Sequence, residues 1–157
     1  MVRRIYVPCE GEIWIPMIPV AKGRPRLTLS GHVFTPSKTR IAEDLIRHHF
    51  KHYHRNFVPI ECGLRMEIHF FFADKKEYLH TSRPDLDNLA KCAMDSLGPS
   101  REPNTKKKLP GLLFDDDALI AVCTCEKHFH PKQGIWIHYK TIPDDEPFTH
   151  PLDEVAP

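Results

Sequence analysis

The chain has 157 residues, of which 41% are hydrophobic and 27% charged, the composition of one ordinary globular domain with a single core. Its formal charge is +1, from 22 basic and 21 acidic residues, which as a total points to no charged partner. No apolar run approaches the ~20 residues of a membrane helix, and Arg3 and Arg4 are not followed by the apolar segment of a secretory signal, so the expectation is a cytoplasmic protein without membrane contact.

Residues 13–18 (IWIPMI) predict a strand, and Pro16 within it places that strand at a sheet edge or a bend. Ser30-Gly31 marks the turn of a short hairpin. Thr35-Pro36 predicts a helix start, with Thr35 as N-cap and Pro36 as the first helical residue. That helix runs to about Tyr53, and Ala42, Leu45, Ile46, Phe50 and Tyr53 form its apolar stripe. Residues 64–73 (LRMEIHFFFA) alternate, with Leu64, Met66, Ile68, Phe70 and Phe72 on one face; this is the clearest strand and the expected centre of the sheet.

Residues 85–97 predict a second helix, because Leu86, Leu89, Ala90, Ala93, Met94 and Leu97 recur at helical spacing and Gly98-Pro99 stops them. Residues 98–111 read as a polar, proline-containing loop with Lys106, Lys107 and Lys108 in a row. Residues 118–129 and 135–141 predict a hairpin that turns at 131–134. The element order gives an α+β fold: a single small domain over residues 1–141, with a mixed sheet packed on two main helices. Residues 142–157 read as an acidic, proline-rich, mobile tail. The last 17 residues hold five acids and no Lys or Arg, which leaves residues 1–140 with a net charge of +6. That asymmetry hints at nucleic acid.

Two acidic clusters carry the chemistry. One is Arg83-Pro84-Asp85-Leu86-Asp87-Asn88-Leu89-Ala90-Lys91, which opens the second helix; the other is Asp115-Asp116-Asp117, just before an aliphatic strand. Phosphodiester hydrolysis needs charge neutralised on the phosphate, an activated water and a stabilised leaving oxygen, and a divalent metal on carboxylates supplies all three. Magnesium wants hard oxygen ligands, and carboxylates from two chain segments converging on one edge are the expected design. Lys91 lies one turn after Asp87 on the same helix face, suited to stabilising charge in the transition state. Plainer readings stand beside these. Asp85 suits an N-cap, Asp87 and Lys91 an exposed ion pair, and the triplet a solvated turn.

These segments, with Met94-Asp95-Ser96-Leu97 and Asp116-Asp117-Ala118-Leu119-Ile120, resemble the signature of the RusA family of Holliday junction resolvases. Ile18-Pro19, residues 22–26 (KGRPR) and residues 34–40 (FTPSKTR) are similar to the family's opening segment, and a later lysine of the pattern resembles Lys127. The resemblance covers roughly residues 13–140. It implies a homodimeric α+β endonuclease that cuts four-way DNA junctions with Mg2+, or with Mn2+ in its place. It also implies metal-binding catalytic roles for Asp85, Asp87 and Asp117, a catalytic role for Lys91, and a metal-side role for Asp116. Asp115 departs from the family's pair by making a triplet, which leaves the register of the pair open by one residue. The rival readings are a non-catalytic DNA-binding protein and a nuclease of other branched DNA.

Lys22, Arg24, Arg26, Lys38 and Arg40 cluster between the first strand and first helix, where they suit DNA phosphates or a charged surface. The lysines of residues 98–111 suit DNA or a solvated insertion equally. Cys123, Cys125, His128 and His130 have zinc-like spacing, but strand alternation sends the cysteines to one face and the histidines to the other. His48, His49, His52 and His54 crowd the end of the first helix, where they suit the negative helix terminus better than a metal. With five cysteines and no C-x-x-C, reduced thiols are expected. Tyr78, His80 and Arg83 precede the acidic motif without a role that the sequence assigns.

Overall fold

The computed structural model describes residues 6–102 and 104–147. In chain order the elements are β1 (Glu10–Ile15), β2 (Arg26–Leu27), β3 (Val33–Phe34), α1 (Ser37–Tyr53), β4 (Gly63–Ala73), β5 (Tyr78–Leu79), α2 (Leu86–Leu97), β6 (Ser100–Arg101), β7 (Lys108–Leu109), a 3-10 turn (Asp117–Leu119), β8 (Ile120–His130) and β9 (Gly134–Ile142). Five strands form one mixed sheet in the order β1-β9-β4-β8-β5. The α+β expectation holds, with β4 at the centre and β1 at an edge, but the first strand lies over Glu10–Ile15 rather than residues 13–18, because Pro16, which has no amide hydrogen to donate, ends it.

One face of the sheet is greasy because the alternation makes it so. Leu64, Met66, Ile68 and Phe70 of β4, Ile13 and Ile15 of β1, and Ile135, Ile137 and Tyr139 of β9 are all buried on that face. Ile46 and Phe50 of α1 and Leu89, Ala93 and Leu97 of α2 cover it. Each such side chain contributes roughly 1.5–3 kcal/mol of transfer free energy, so two helices on one face make a two-layer domain. Among the described residues the opposite face carries no helix, and Glu67, His69, Glu126, His128, Trp136 and His138 are among the side chains that line it.

Four local expectations change. Pro36, not Thr35, is the N-cap of α1, with no side-chain cap; its φ of −52° and ψ of 140° hold it outside the helix. Leu45 and Tyr53 are exposed, while Glu43 is buried with its charge met by Lys22. Residues 98–111 are not an open loop but contain the β6–β7 ribbon. Most important, β8 and β9 are not a hairpin: β4 lies between them, parallel to β8 and antiparallel to β9. The turn at 131–134 suggests direct pairing, but β4 offers both neighbours a long apolar strand, and two full ladders outweigh one. The Ser30-Gly31 turn is present, with Gly31 at φ 79° closing β2 on β3. Of the tail expected from residue 142, Ile142 still belongs to β9, and residues 148–157 lie outside the described residues.

Candidate active site

α2 is placed by its buried stripe, and its N-terminus by what precedes it. Asp85 is the N-cap with extended backbone, yet its carboxylate makes no capping bond. Asp87 lies in the first turn, where the helix dipole favours a negative charge. Both side chains are exposed. The segment before them is held from the sheet: Lys127 on β8 donates from Nζ to the carbonyls of Ser82 and, at 2.7 Å, Pro84. His80 is buried beneath this segment, stacked 4.1 Å from Phe129 and edge-on to Phe72, and its Nδ1 accepts from the Ser82 amide at 3.2 Å. Lys127 was visible in the sequence only through resemblance. His80 carried no signal, since its place depends on two phenylalanines from different strands.

The aspartate triplet divides its tasks. Asp115 Oδ1 accepts from the Gly111 amide at 2.6 Å, and Asp116 Oδ1 caps the 3-10 turn through the Ala118 amide at 2.9 Å. A Cβ on Gly111 would lie 1.7 Å from the Phe114 carbonyl oxygen, so only glycine lets this turn close. Asp117 is exposed and, among the described residues, makes no side-chain hydrogen bond or ion pair. The triplet lines a cavity of about 390 Å³ with Met94, Asp95, Gly98 and Lys108. Lys108 therefore faces the acids, while Lys106 and Lys107 are exposed elsewhere on the ribbon.

Lys91 is exposed and reaches Asp95 Oδ2 at 3.7 Å rather than Asp87. Lys22 meets the same oxygen at 2.9 Å and Glu43 at 2.5 Å, and its backbone amide donates to the Asn88 carbonyl. Burial works against the Lys22 ammonium, but the bonds to Glu43 and Asp95 outweigh it and raise its pKa. Lys22 thus ties the N-terminal segment to both helices. Arg24, Arg26, Lys38 and Arg40 face solvent.

Two acid sets flank α2 rather than meeting. Asp85 and Asp87 stand at its start, and the cavity with Asp117 gathers around its last turn. Eight residues separate Asp87 from Asp95, about 12 Å of helix. Among the described residues, Asp85, Asp87 and Asp117 do not form a group with ligand atoms within 4.8 Å of one another. The expected convergence on one edge is absent within a single copy of the chain, because α2 runs back along β8 and separates the two segments by its own length.

Cys123 and Cys125 have sulfurs 3.4 Å apart, while His128 and His130 contact His69 and Glu77, so the four residues do split over two faces. His48 packs edge-on against His49, which stacks on Tyr53, and the α1 histidines form no metal-sized group among the described residues.

Burial lowers the pKa of His54, whose Nδ1 is buried without a partner and whose ring stacks on Phe50 at 4.6 Å. His80 moves the same way, by burial and then by the Lys127 charge, as does His49, by burial and then by its histidine neighbours. A depressed folded-state pKa means the unfolded chain takes the proton first. The stabilisation is present above the ordinary histidine range and is lost as pH falls below about 6.5. Urea midpoints are expected to drop between pH 7.5 and pH 5, and a His54→Phe/His80→Phe variant to drop less; an equal drop in both would remove these histidines as the cause.

No helix among the described residues is long and apolar enough to cross a membrane. A family model described as endodeoxyribonuclease RusA matches residues 16–139 of the chain. No curated protein matches it.

Proposed function

The chain belongs to the RusA family of endodeoxyribonucleases, and on that premise we propose that it cuts four-way DNA junctions by paired nicks, with Mg2+ as its metal, in recombination and repair. Hydrolysis of DNA phosphodiester bonds is the family's reaction. The observation that carries the finer reading is a set of carboxylates without hydrogen-bond or ion-pair partners among the described residues, at the positions of the family's motif: Asp85, Asp87 and Asp117.

Magnesium is usually held by one or two carboxylates with water and substrate phosphate completing its shell. Exposed, unpartnered acids at each end of α2 suit that habit; one ion ligated jointly by Asp85, Asp87 and Asp117 does not suit their spacing in one copy. We propose Asp85 and Asp87 as one holding pair and Asp117 with Asp116 as the other. Mn2+ accepts the same ligands. When bound, the metal supplies charge neutralisation and an acidified water.

The chain's own groups do the rest. Lys91, exposed on α2 beside Asp95, offers its ammonium to phosphate charge. Lys127 holds the Ser82–Pro84 carbonyls and so orients Asp85. Arg24, Arg26, Lys38 and Arg40 bind backbone phosphates. A four-way junction has near two-fold symmetry, and a two-fold homodimer would present two sites to strands of like polarity.

The test is cleavage of a labelled synthetic four-way junction in Mg2+, beside a linear duplex and flap substrates of the same sequence. Symmetric paired nicks in the junction alone support the reading. Tight binding without cutting in Mg2+ or Mn2+ moves the assignment to a non-catalytic DNA-binding protein, and equal cutting of flaps to a general branched-DNA nuclease. In the same assay, replacing Arg24, Arg26, Lys38 and Arg40 by Ala is expected to flatten the plot of log affinity against log salt by about 3–4 units of slope. An unchanged slope would place the phosphate contacts elsewhere.

A further inference from the structure

The uncovered face of the sheet holds a second group of ligating side chains, on the far side from α2. We propose that His69, Glu126 and His128 form a binding site for a divalent transition ion of the zinc class, separate from the acidic site and independent of the reading above.

Three observations carry it. First, the ligand atoms converge. His128 Nε2 lies 3.2 Å from His69 Nδ1 and 2.9 Å from Glu126 Oε2, and His69 Nδ1 lies 3.6 Å from that oxygen. Zinc with bonds of about 2.05 Å and tetrahedral angles spaces its ligand atoms about 3.3 Å apart, so this triangle has the size of one tetrahedral face. Second, a carboxylate fixes one ligand's orientation. Glu67 Oε1 lies 2.8 Å from His69 Nε2, the other ring nitrogen. A proton on Nε2 donated to Glu67 leaves Nδ1 with its lone pair toward the group, the carboxylate–histidine–metal arrangement that tunes zinc ligands. Third, the mount is rigid. His69 and Glu126 are register partners on the parallel β4–β8 ladder, and Phe71 pairs with His128 one step further. Trp136 and Phe71 pack against the His69 ring.

The chemistry selects the ion. Two imidazoles and one carboxylate suit Zn2+, Co2+ or Fe2+ and suit Mg2+ poorly, since magnesium prefers all-oxygen octahedra. The three ligands come from one face of the sheet, which leaves the fourth position toward solvent. Lys127, between Glu126 and His128 in sequence, points to the opposite face, where it holds the Ser82–Pro84 segment. The two metal classes therefore sort to the two faces of β8.

The experiment uses the full chain, freed of metal and held in excess Mg2+ so that the aspartates are occupied. Zn2+ is titrated by calorimetry, Co2+ by its visible absorption, and melting is followed with and without Zn2+. The expected result is one saturable Zn2+ per chain, a tetrahedral Co2+ spectrum, and a melting point raised by Zn2+. His69→Ala and His128→Ala should each abolish that site while melting like the parent in chelator. Glu67→Gln should keep the site but weaken it about 10- to 100-fold; Glu67 is exposed enough that folding is not at stake, so this variant decides even where a histidine variant folds poorly. No saturable Zn2+ in the parent, a site that survives His128→Ala, or an affinity untouched by Glu67→Gln each overturns the proposal.

Discussion

Replacing Asp117 by Asn is expected to lower junction cleavage about 10³-fold, roughly 4 kcal/mol of barrier, while junction binding and melting temperature stay at the parent values. The amide has the size of the carboxylate, and the Asp117 side chain makes no hydrogen bond or ion pair among the described residues, so no such contact is lost there. Binding holds or tightens, because one negative charge facing DNA has gone. Asp85→Asn should behave the same way, since that carboxylate caps nothing although it occupies the N-cap. The neighbouring acids provide the contrast. Asp116→Ala removes the cap of the 3-10 turn together with a proposed metal-holding carboxylate, so it should lower cleavage and also cost about 1 kcal/mol of stability. Asp115→Ala strips the Gly111 amide of its acceptor and loosens the turn that carries Asp117. Cleavage counted under single-turnover conditions, with melting measured on the same samples, separates these effects. If Asp117→Asn cuts at the parent rate, Asp117 is not a metal-holding residue and the register of the pair must move to Asp115-Asp116.

Replacing Lys22 by Met is expected to destabilise the fold by about 2 kcal/mol, because Glu43, at 8% exposure, and Asp95 lose their shared close partner and keep only the longer contacts to Arg47 and Lys91, each at 3.7 Å. Lys22 lies in the basic segment that otherwise suits DNA phosphates, and this variant tells the two roles apart. A phosphate contact would weaken DNA binding and leave melting unchanged. The ion-pair role does the reverse, and adding Glu43→Gln and Asp95→Asn to Lys22→Met should restore part of the loss by removing two carboxylates that have lost their close shared cation. The sign of its pH dependence follows from the raised pKa: the contribution is complete below the ordinary lysine value of about 10.4 and disappears only as pH climbs above it. Denaturation midpoints at pH 7 and pH 8 should therefore show the same Lys22→Met deficit.

Much of the molecule was legible from local pattern. Period-two alternation set β4 and its buried face, period-3.6 spacing set α2, Gly98 and Pro99 stopped it, and Ser30-Gly31 marked a hairpin. Each of these is a property of residues within one turn or a few pleats of one another. The acidic motif was legible for a similar reason, because Asp85, Asp87 and Lys91 sit on a single helix and its cap. The helix stripe differs from the local pattern at Leu45 and Tyr53, which are exposed, and at Glu43, which is buried with its charge met by Lys22, some twenty residues away in sequence.

What the sequence determined by itself was the inventory: an α+β domain, one dominant strand, two helices, and acids at the start of one helix and just before an aliphatic strand. Tertiary structure decided the neighbours. Whether β8 meets β9 or β4 depends on which ladder offers more hydrogen bonds and apolar contact, a competition among strands some fifty residues apart that no local pattern records. That choice runs α2 back along β8, which places Asp85 and Asp117 at opposite ends of one helix. It also brings His69 beside Glu126 and His128, which no spacing in the chain could have announced.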